Sequence, residues 1–260
     1  MVLIDTHAHI DVDRFDEDRD EVIARAEAAG IKAIINMGDS LESSQRSVEL
    51  THRYESVFAA VGIHPEEARP MNQADDQQLA DWAEQAKVVA IGEIGLDYYW
   101  VKDQEQRQIQ QQVFIRQLDL ARQLHLPVCV HNRDAHGDTM AILKKEGQGV
   151  RGVLHCYSGS LEMAKELMKL DWLIGVDGPL TFKNAAKLPE IVQNIPLERI
   201  LLETDCPYMA PVPMRGKRNE PAFVYHVAEK LAELRKISLE QVAEQTTANA
   251  RELYKKCIFS

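Results

Sequence analysis

The residues of this chain best suited to chemistry gather at a few points. D-T-H-A-H at 5–9 sets two imidazoles two residues apart. In an extended chain, residues i and i+2 face the same side, so His7 and His9 can both face one ion. Neutral imidazole is a common ligand for zinc and similar metals. Taken alone, the pair fits a surface turn equally well. A-I-G-E-I-G-L-D at 90–97 places Glu93 among apolar residues and glycines. A carboxylate there is rarely buried unless it is paired or binds a metal. An ion pair with Arg133 is the weaker reading. V-C-V-H ending at His131 and V-L-H ending at His155 each close an apolar run with one histidine. One such histidine is more often a hydrogen-bonded core residue. Two at equivalent places, beside Glu93 and the His7-x-His9 pair, favour ligation. L-L-E-T-D at 201–205 adds Asp205 at its end, with Glu203 as a solvated or supporting group.

Four histidines and two carboxylates exceed the three protein ligands and one water of a catalytic zinc. They suit two divalent ions sharing a carboxylate. Mg²⁺, Mn²⁺ and Zn²⁺ are the candidates, and no cysteine is needed as a ligand. Ser158 and Ser160 lack a G-x-S-x-G context, and the chain has no phosphate-binding glycine loop.

These residues need a scaffold. Short apolar, β-branched runs at 2–6, 32–37, 57–62, 88–93, 127–131, 152–155, 172–176 and 199–203 read as buried parallel strands. Between them lie helix-like stretches at 17–29, 41–53, 75–86, 104–124, 137–146, 160–170, 184–194, 221–235 and 238–256. Gly30 stands where the first of these would end. Eight β-then-α units predict an α/β fold, a (β/α)8 TIM-type barrel, as one domain over 1–260. A doubly wound open sheet is the alternative, because apolar runs do not show whether a sheet closes. Five of the nine histidines (His7, His9, His64, His131 and His155) fall at or just past strand ends, which in a barrel open on one face. His52 and His125 read as structural or solvated, while His136 and His226 are left open.

Composition sets the outer bounds. The 260 residues carry a formal charge of −11, with 45% hydrophobic and 27% charged residues. That balance excludes a disordered chain and a fibrous one. No apolar run reaches membrane-spanning length. The first residues carry no basic stretch, and the four cysteines form no C-x-x-C pair, so a reduced cytoplasmic setting is expected. The acidic charge argues against generic nucleic-acid coating but allows a local phosphate grip.

The motifs together resemble the TatD family of metal-dependent deoxyribonucleases, within the amidohydrolase-like barrels. The signposts are D-T-H-A-H at 5–9, G-I-H-P at 62–65, G-E-I-G-L-D-Y-Y at 92–99 and H-N-R-D-A at 131–135. H-C-Y-S-G at 155–159, L-E-T-D-C-P at 202–207, R-G-K-R-N-E-P at 215–221 and N-A-R at 249–251 follow in order. The resemblance spans essentially the whole chain. It implies that His7 and His9 hold one ion with Asp205, that His131 and His155 hold the second, and that Glu93 bridges them. It places His64 near the metals, touching substrate.

The implied activity is phosphodiester hydrolysis, as a 3′–5′ exonuclease on single-stranded DNA or other nucleic-acid ends. Asp205 would accept the water's proton, and His64 or a metal-bound group would assist the leaving alcohol. No membrane and no obligatory protein partner is expected. Arg133 with Arg215, Lys217 and Arg218 would give a local positive field, although such clusters are often only solvated surface. Tyr98, Tyr99 and Trp100 would stack on a base or else pack at the barrel mouth. Two other readings remain: the same metals acting on an aminoacyl-tRNA ester or small amide, and a metal-storing or partner-binding protein.

Overall fold

The apolar runs form eight strands because each is buried on both faces. In a computed structural model describing residues 1–259, these are β1 (Leu3–Ala8), β2 (Ile31–Met37), β3 (Val57–Val61) and β4 (Val88–Asp97). They continue with β5 (Val128–Arg133), β6 (Gly152–Leu154), β7 (Leu173–Val176) and β8 (Ile200–Leu202). All neighbours pair in parallel in the order β1 to β8. Successive residues point to opposite sides: Ala33, Ile35 and Met37 fill the interior, while Ile34 joins the layer beneath the helices. Two apolar faces per strand leave no polar alternation to read.

The sheet closes on itself. His9 N–H donates to the Cys206 carbonyl at 2.8 Å, and Asp205 N–H donates to the His7 carbonyl at 2.9 Å. A lone bridge joins Ala8 to Cys206. These bonds bring the start of the chain beside the end of β8, which settles the barrel against the open sheet. The predicted strands hold, with two extensions that matter: β1 reaches Ala8 and β4 runs on to Asp97.

The helices are α1 (Arg19–Ala28), α2 (Leu41–Arg53), α3 (Gln73–Ala83), α4 (Gln104–Leu124) and α5 (His136–Glu146). They end with α6 (Leu161–Lys169), α7 (Leu188–Asn194), α8 (Val224–Arg235) and α9 (Leu239–Leu253). Side-chain caps mark several starts, including Asp103 for α4 and a Ser238/Gln241 capping box for α9. The stretch expected from 184 becomes helical only at Leu188, where Pro189 fits the first turn. From the end of α9, Leu253, Tyr254 and Cys257 pack against the barrel interior. Among the described residues no helix is long and apolar enough to cross a membrane.

Candidate metal centre

The ends of the strands deliver the chemical groups. His7 lies in β1 and His9 one residue past it; His131 lies in β5 and His155 one residue past β6. His64 and Asp205 come from the turns after β3 and β8. Buried Asp5 fastens two of these segments. Its Oδ1 accepts the Thr204 N–H at 2.9 Å and its Oδ2 accepts the Thr204 hydroxyl at 2.6 Å. Glu93 sits where the β4–β5 register breaks, between Ile91 and Ile94, and its N–H donates to the Gly38 carbonyl at 2.7 Å. Gly95, at φ +138°, lets β4 pass the His131 carbonyl where any Cβ would collide.

Two nests of ligand atoms result. His7 Nε2 and His9 Nε2 are 3.1 Å apart. Both face Glu93 Oε2, at 3.3 and 3.5 Å, and Asp205 Oδ1, at 3.7 and 3.6 Å. The other oxygen, Glu93 Oε1, meets His155 Nε2 at 2.7 Å, His131 Nδ1 at 3.0 Å and His64 Nε2 at 3.6 Å. All six residues read as ligands from the sequence are therefore brought together, with His64 beside them.

The donor set fits divalent cations. Around a tetrahedral ion with metal–nitrogen bonds near 2.0–2.1 Å, ligand atoms lie about 3.3 Å apart. The observed separations bracket that value. Three triads of groups able to hold an ion result: His7, Glu93 and His155; His7, His9 and Asp205; and His64, Glu93 and His131. Burial and then the charge of His155 keep His7 neutral, its pKa well below the ordinary range. Burial, with His131 beside it, pushes His64 down to about 3. Burial opposes ionisation of Glu93, but the charges of His155 and His7 outweigh it and hold the carboxyl well below its usual range. Burial likewise opposes charging of His131, yet its bonds to Asp97 and Glu93 raise it to about 9.

Supporting groups surround the ligands. Asp97 Oδ2 stands 3.0 Å from His131 Nε2, and Cys129 Sγ lies 3.2 Å from His7 Nδ1. Neither was singled out from the sequence, although Asp97 carried a signal as an acid closing an apolar strand. Glu203 is fully buried rather than solvated. Its Oε1 accepts the Cys156 N–H at 2.5 Å and lies 3.8 Å from His155 Nδ1. Burial, reinforced by Asp177, raises its pKa well above normal. Burial and Asp205 push Asp177 up to about 8.

The centre opens into a cavity of about 540 Å³ lined also by Asp39, Glu66, Glu67, Trp100, Arg133, Tyr208 and Met209. The Arg133 guanidinium sits 4.0 Å from the Tyr99 ring centre and 5.5 Å from that of Trp100. Three expected substrate contacts lie elsewhere. Tyr98 is buried, its hydroxyl bonded to Asp138 at 2.8 Å and its ring covered by Arg107. Arg215 packs on Phe182 at 3.9 Å, and neither it nor Lys217 lines the cavity. Arg218 is tied to Asp18 at 2.6 and 2.9 Å. Of the basic residues expected to give a local positive field, Arg218 instead finds its partner about 200 positions away, where sequence spacing cannot show it. His52, His136 and His226 bond Gln85, Asn132 and Glu229, away from the ligands, and His125 caps α4.

Comparison with known proteins points to metal-dependent hydrolases. A family profile described as TatD related DNase matches residues 4–255. The chain is 44% identical over 255 residues to the uncharacterized metal-dependent hydrolase YabD of Bacillus subtilis, covering 98% of this chain and 99% of that one. It is 36% identical over 260 residues to the 3′-5′ ssDNA/RNA exonuclease TatD of Cronobacter sakazakii, covering 98% of each. Among solved structures, the TatD homolog YjjV of Escherichia coli K12 superimposes with a TM-score of 0.89 at 34% identity, over 97% of this chain and 98% of that one.

Proposed function

The chain belongs to the TatD-related DNase family, and on that premise we propose that this metal-dependent hydrolase is a deoxyribonuclease of the 3′–5′ exonuclease type, acting on single-stranded ends. One observation carries the reading: Glu93 presents one oxygen to each nest, beside a wall that joins a guanidinium to an aromatic ring. His7, His9 and Asp205 would hold one ion and His131 and His155 the other, with Glu93 between. Two divalent ions held there supply Lewis-acid polarisation of the phosphoryl group and a water of lowered pKa.

The chain's own groups do the rest. Asp205, whose carboxyl is raised in pKa by burial, takes the proton of the attacking water. His64 Nδ1 accepts the Glu66 N–H at 3.2 Å, so the neutral ring carries its proton on Nε2 and turns that donor toward Glu93. It therefore stabilises a phosphoryl or leaving oxygen by a hydrogen bond rather than by giving up a proton. Arg133 offers a planar fork to a non-bridging phosphate oxygen. Trp100, 60% exposed at the cavity, offers a stacking face to an unpaired base. Arg215 and Lys217 lie on the same loop as Tyr208 and Met209, where only parts of a polymer beyond the reacting end can reach them. The four cysteines are free, in keeping with a reduced, cytoplasmic setting.

A second reading rests on Asp39, Glu66 and Glu67, three acids in the cavity wall against the single Arg133. They favour an ester whose acyl group carries an ammonium, such as an aminoacyl-tRNA ester. The deciding experiment offers end-labelled single-stranded DNA to metal-stripped protein, titrated with Mg²⁺, Mn²⁺ and Zn²⁺, with Glu93→Gln as control. Metal-dependent shortening from the 3′ end, lost in the variant, is expected. Bound ions with no shortening overturn the nuclease reading and move the assay to aminoacyl esters, whose hydrolysis is insensitive to strand length.

A further inference from the structure

Asp97, at the end of β4, is fully buried and uses both carboxylate oxygens. Oδ2 stands 3.0 Å from His131 Nε2. Oδ1 accepts the N–H of Tyr99 at 2.9 Å and of Trp100 at 2.8 Å. The residue is itself held: its N–H donates to Gln110 Oε1 at 3.1 Å, and Gln110 Nε2 donates to the Pro65 carbonyl at 3.0 Å, next to His64.

We infer that Asp97 is a positioning residue that fixes His131 as an Nδ1 ligand and, through its second oxygen, anchors the Tyr99–Trp100 turn to that same ligand. A carboxylate can only accept, so the single N–H of a neutral imidazole beside it sits on Nε2. Nδ1 is then left with its lone pair aimed at the centre, 3.0 Å from Glu93 Oε1 and 3.3 Å from His155 Nε2. Among the ligand rings His131 is the odd one, since His7, His9 and His155 all present Nε2 to the carboxylates. Carboxylate partners of this kind orient metal-bound histidines. Here the partner also sets the wall. Arg133 lies two residues beyond His131 on β5, and its guanidinium packs against the Tyr99 and Trp100 rings that Oδ1 holds. The Tyr98 N–H donates to the Arg133 carbonyl at 2.8 Å, closing the unit.

The inference rests on the two-metal reading of the centre and is independent of which ester is cleaved. Asp97→Asn separates the two tasks. Its amide oxygen still accepts from Tyr99 and Trp100, while its NH₂ faces Nε2 and drives the ring proton to Nδ1. Zinc affinity, measured by competition with a fluorescent chelator, should fall about 10- to 100-fold. Deuterium exchange at the Tyr99 and Trp100 amides should stay at the parent rate. Asp97→Ala should weaken zinc binding and also speed that exchange. On the unsubstituted protein, ¹⁵N-histidine spectra with zinc bound should show His131 protonated at Nε2 and His7, His9 and His155 protonated at Nδ1. Parent-like zinc affinity in Asp97→Asn, or a His131 proton on Nδ1 in the zinc-loaded parent, overturns the inference. A parent that binds no zinc, manganese or magnesium takes down the two-metal reading and this inference with it.

Discussion

Glu93 Oε1 lies 2.7 Å from Nε2 of His155, a contact that joins the middle of β4 to the end of β6. The opposite oxygen of the same carboxylate lies 3.3 Å from His7 Nε2, on β1. One side chain thus stands in both nests, and neither nest keeps its charge balance without it. Glu93→Gln removes that charge at nearly constant shape. Metal content after dialysis should fall from two ions per chain, with affinity down at least ~100-fold, the upper end of what outer partners alone cost. The circular dichroism of the metal-free fold should be unchanged. Two tightly held ions in this variant would remove the bridging role.

Metal-free protein should lose stability as the pH rises from 7 to 9. His131 is raised from 6.5 to about 9 and Asp177 from 3.8 to about 8. Above pH 7 the folded state therefore holds protons that the unfolded state has released, and raising the pH removes that stabilisation. His64, lowered to about 3, acts in the opposite sense, but only between its folded value and 6.5. Its contribution is complete before the window opens. Tm in the presence of a chelator should drop by several degrees across this range, as each kcal/mol moves Tm about 2–4 °C at this size. Metal-loaded protein should show a smaller drop, because an ion takes the place of the His131 proton. A flat Tm in the chelated protein would contradict the assignment.

Trp100 and the Arg215–Lys217 pair should separate by substrate length. Trp100→Ala should raise KM for a dinucleotide and for a long oligonucleotide alike, by roughly five- to a hundredfold, the range of one base–aromatic stack. Arg215→Ala combined with Lys217→Ala should leave the dinucleotide unaffected, weaken the long strand and flatten its salt dependence. Equal effects of the double substitution on both lengths would place those residues at the cavity after all.

Gly175 on β7 faces Glu203, one residue past β8, and a Cβ there would overlap the Glu203 carboxylate. Gly175→Ala should cost about 1–3 kcal/mol in urea unfolding, the range for overpacking a closed core. It should also disturb the Cys156 turn that Glu203 Oε1 holds. Unchanged stability would mean that the Glu203 side chain can swing aside.

The sequence by itself determined the inventory of the centre and the order of its scaffold. A two-residue spacing suffices to place His7 and His9 on one side of an extended chain, and a histidine or acid ending an apolar run is a local event. For that reason all six candidate ligands were legible, as were the eight strands of the barrel that surrounds them. Only the tertiary structure decided closure, because the bonds between Cys206 and His9 join chain segments with no shared local pattern. It also decided which nitrogen of His131 faces inward, through Asp97. It buried Glu203, turned Tyr98 under Arg107, and paired Arg218 with Asp18 across 200 positions. Periodicity and motif spacing report what a chain does with its near neighbours. The tautomer of a ring, the burial of an acid and the partner of a loop arginine depend on groups that meet only when the barrel shuts.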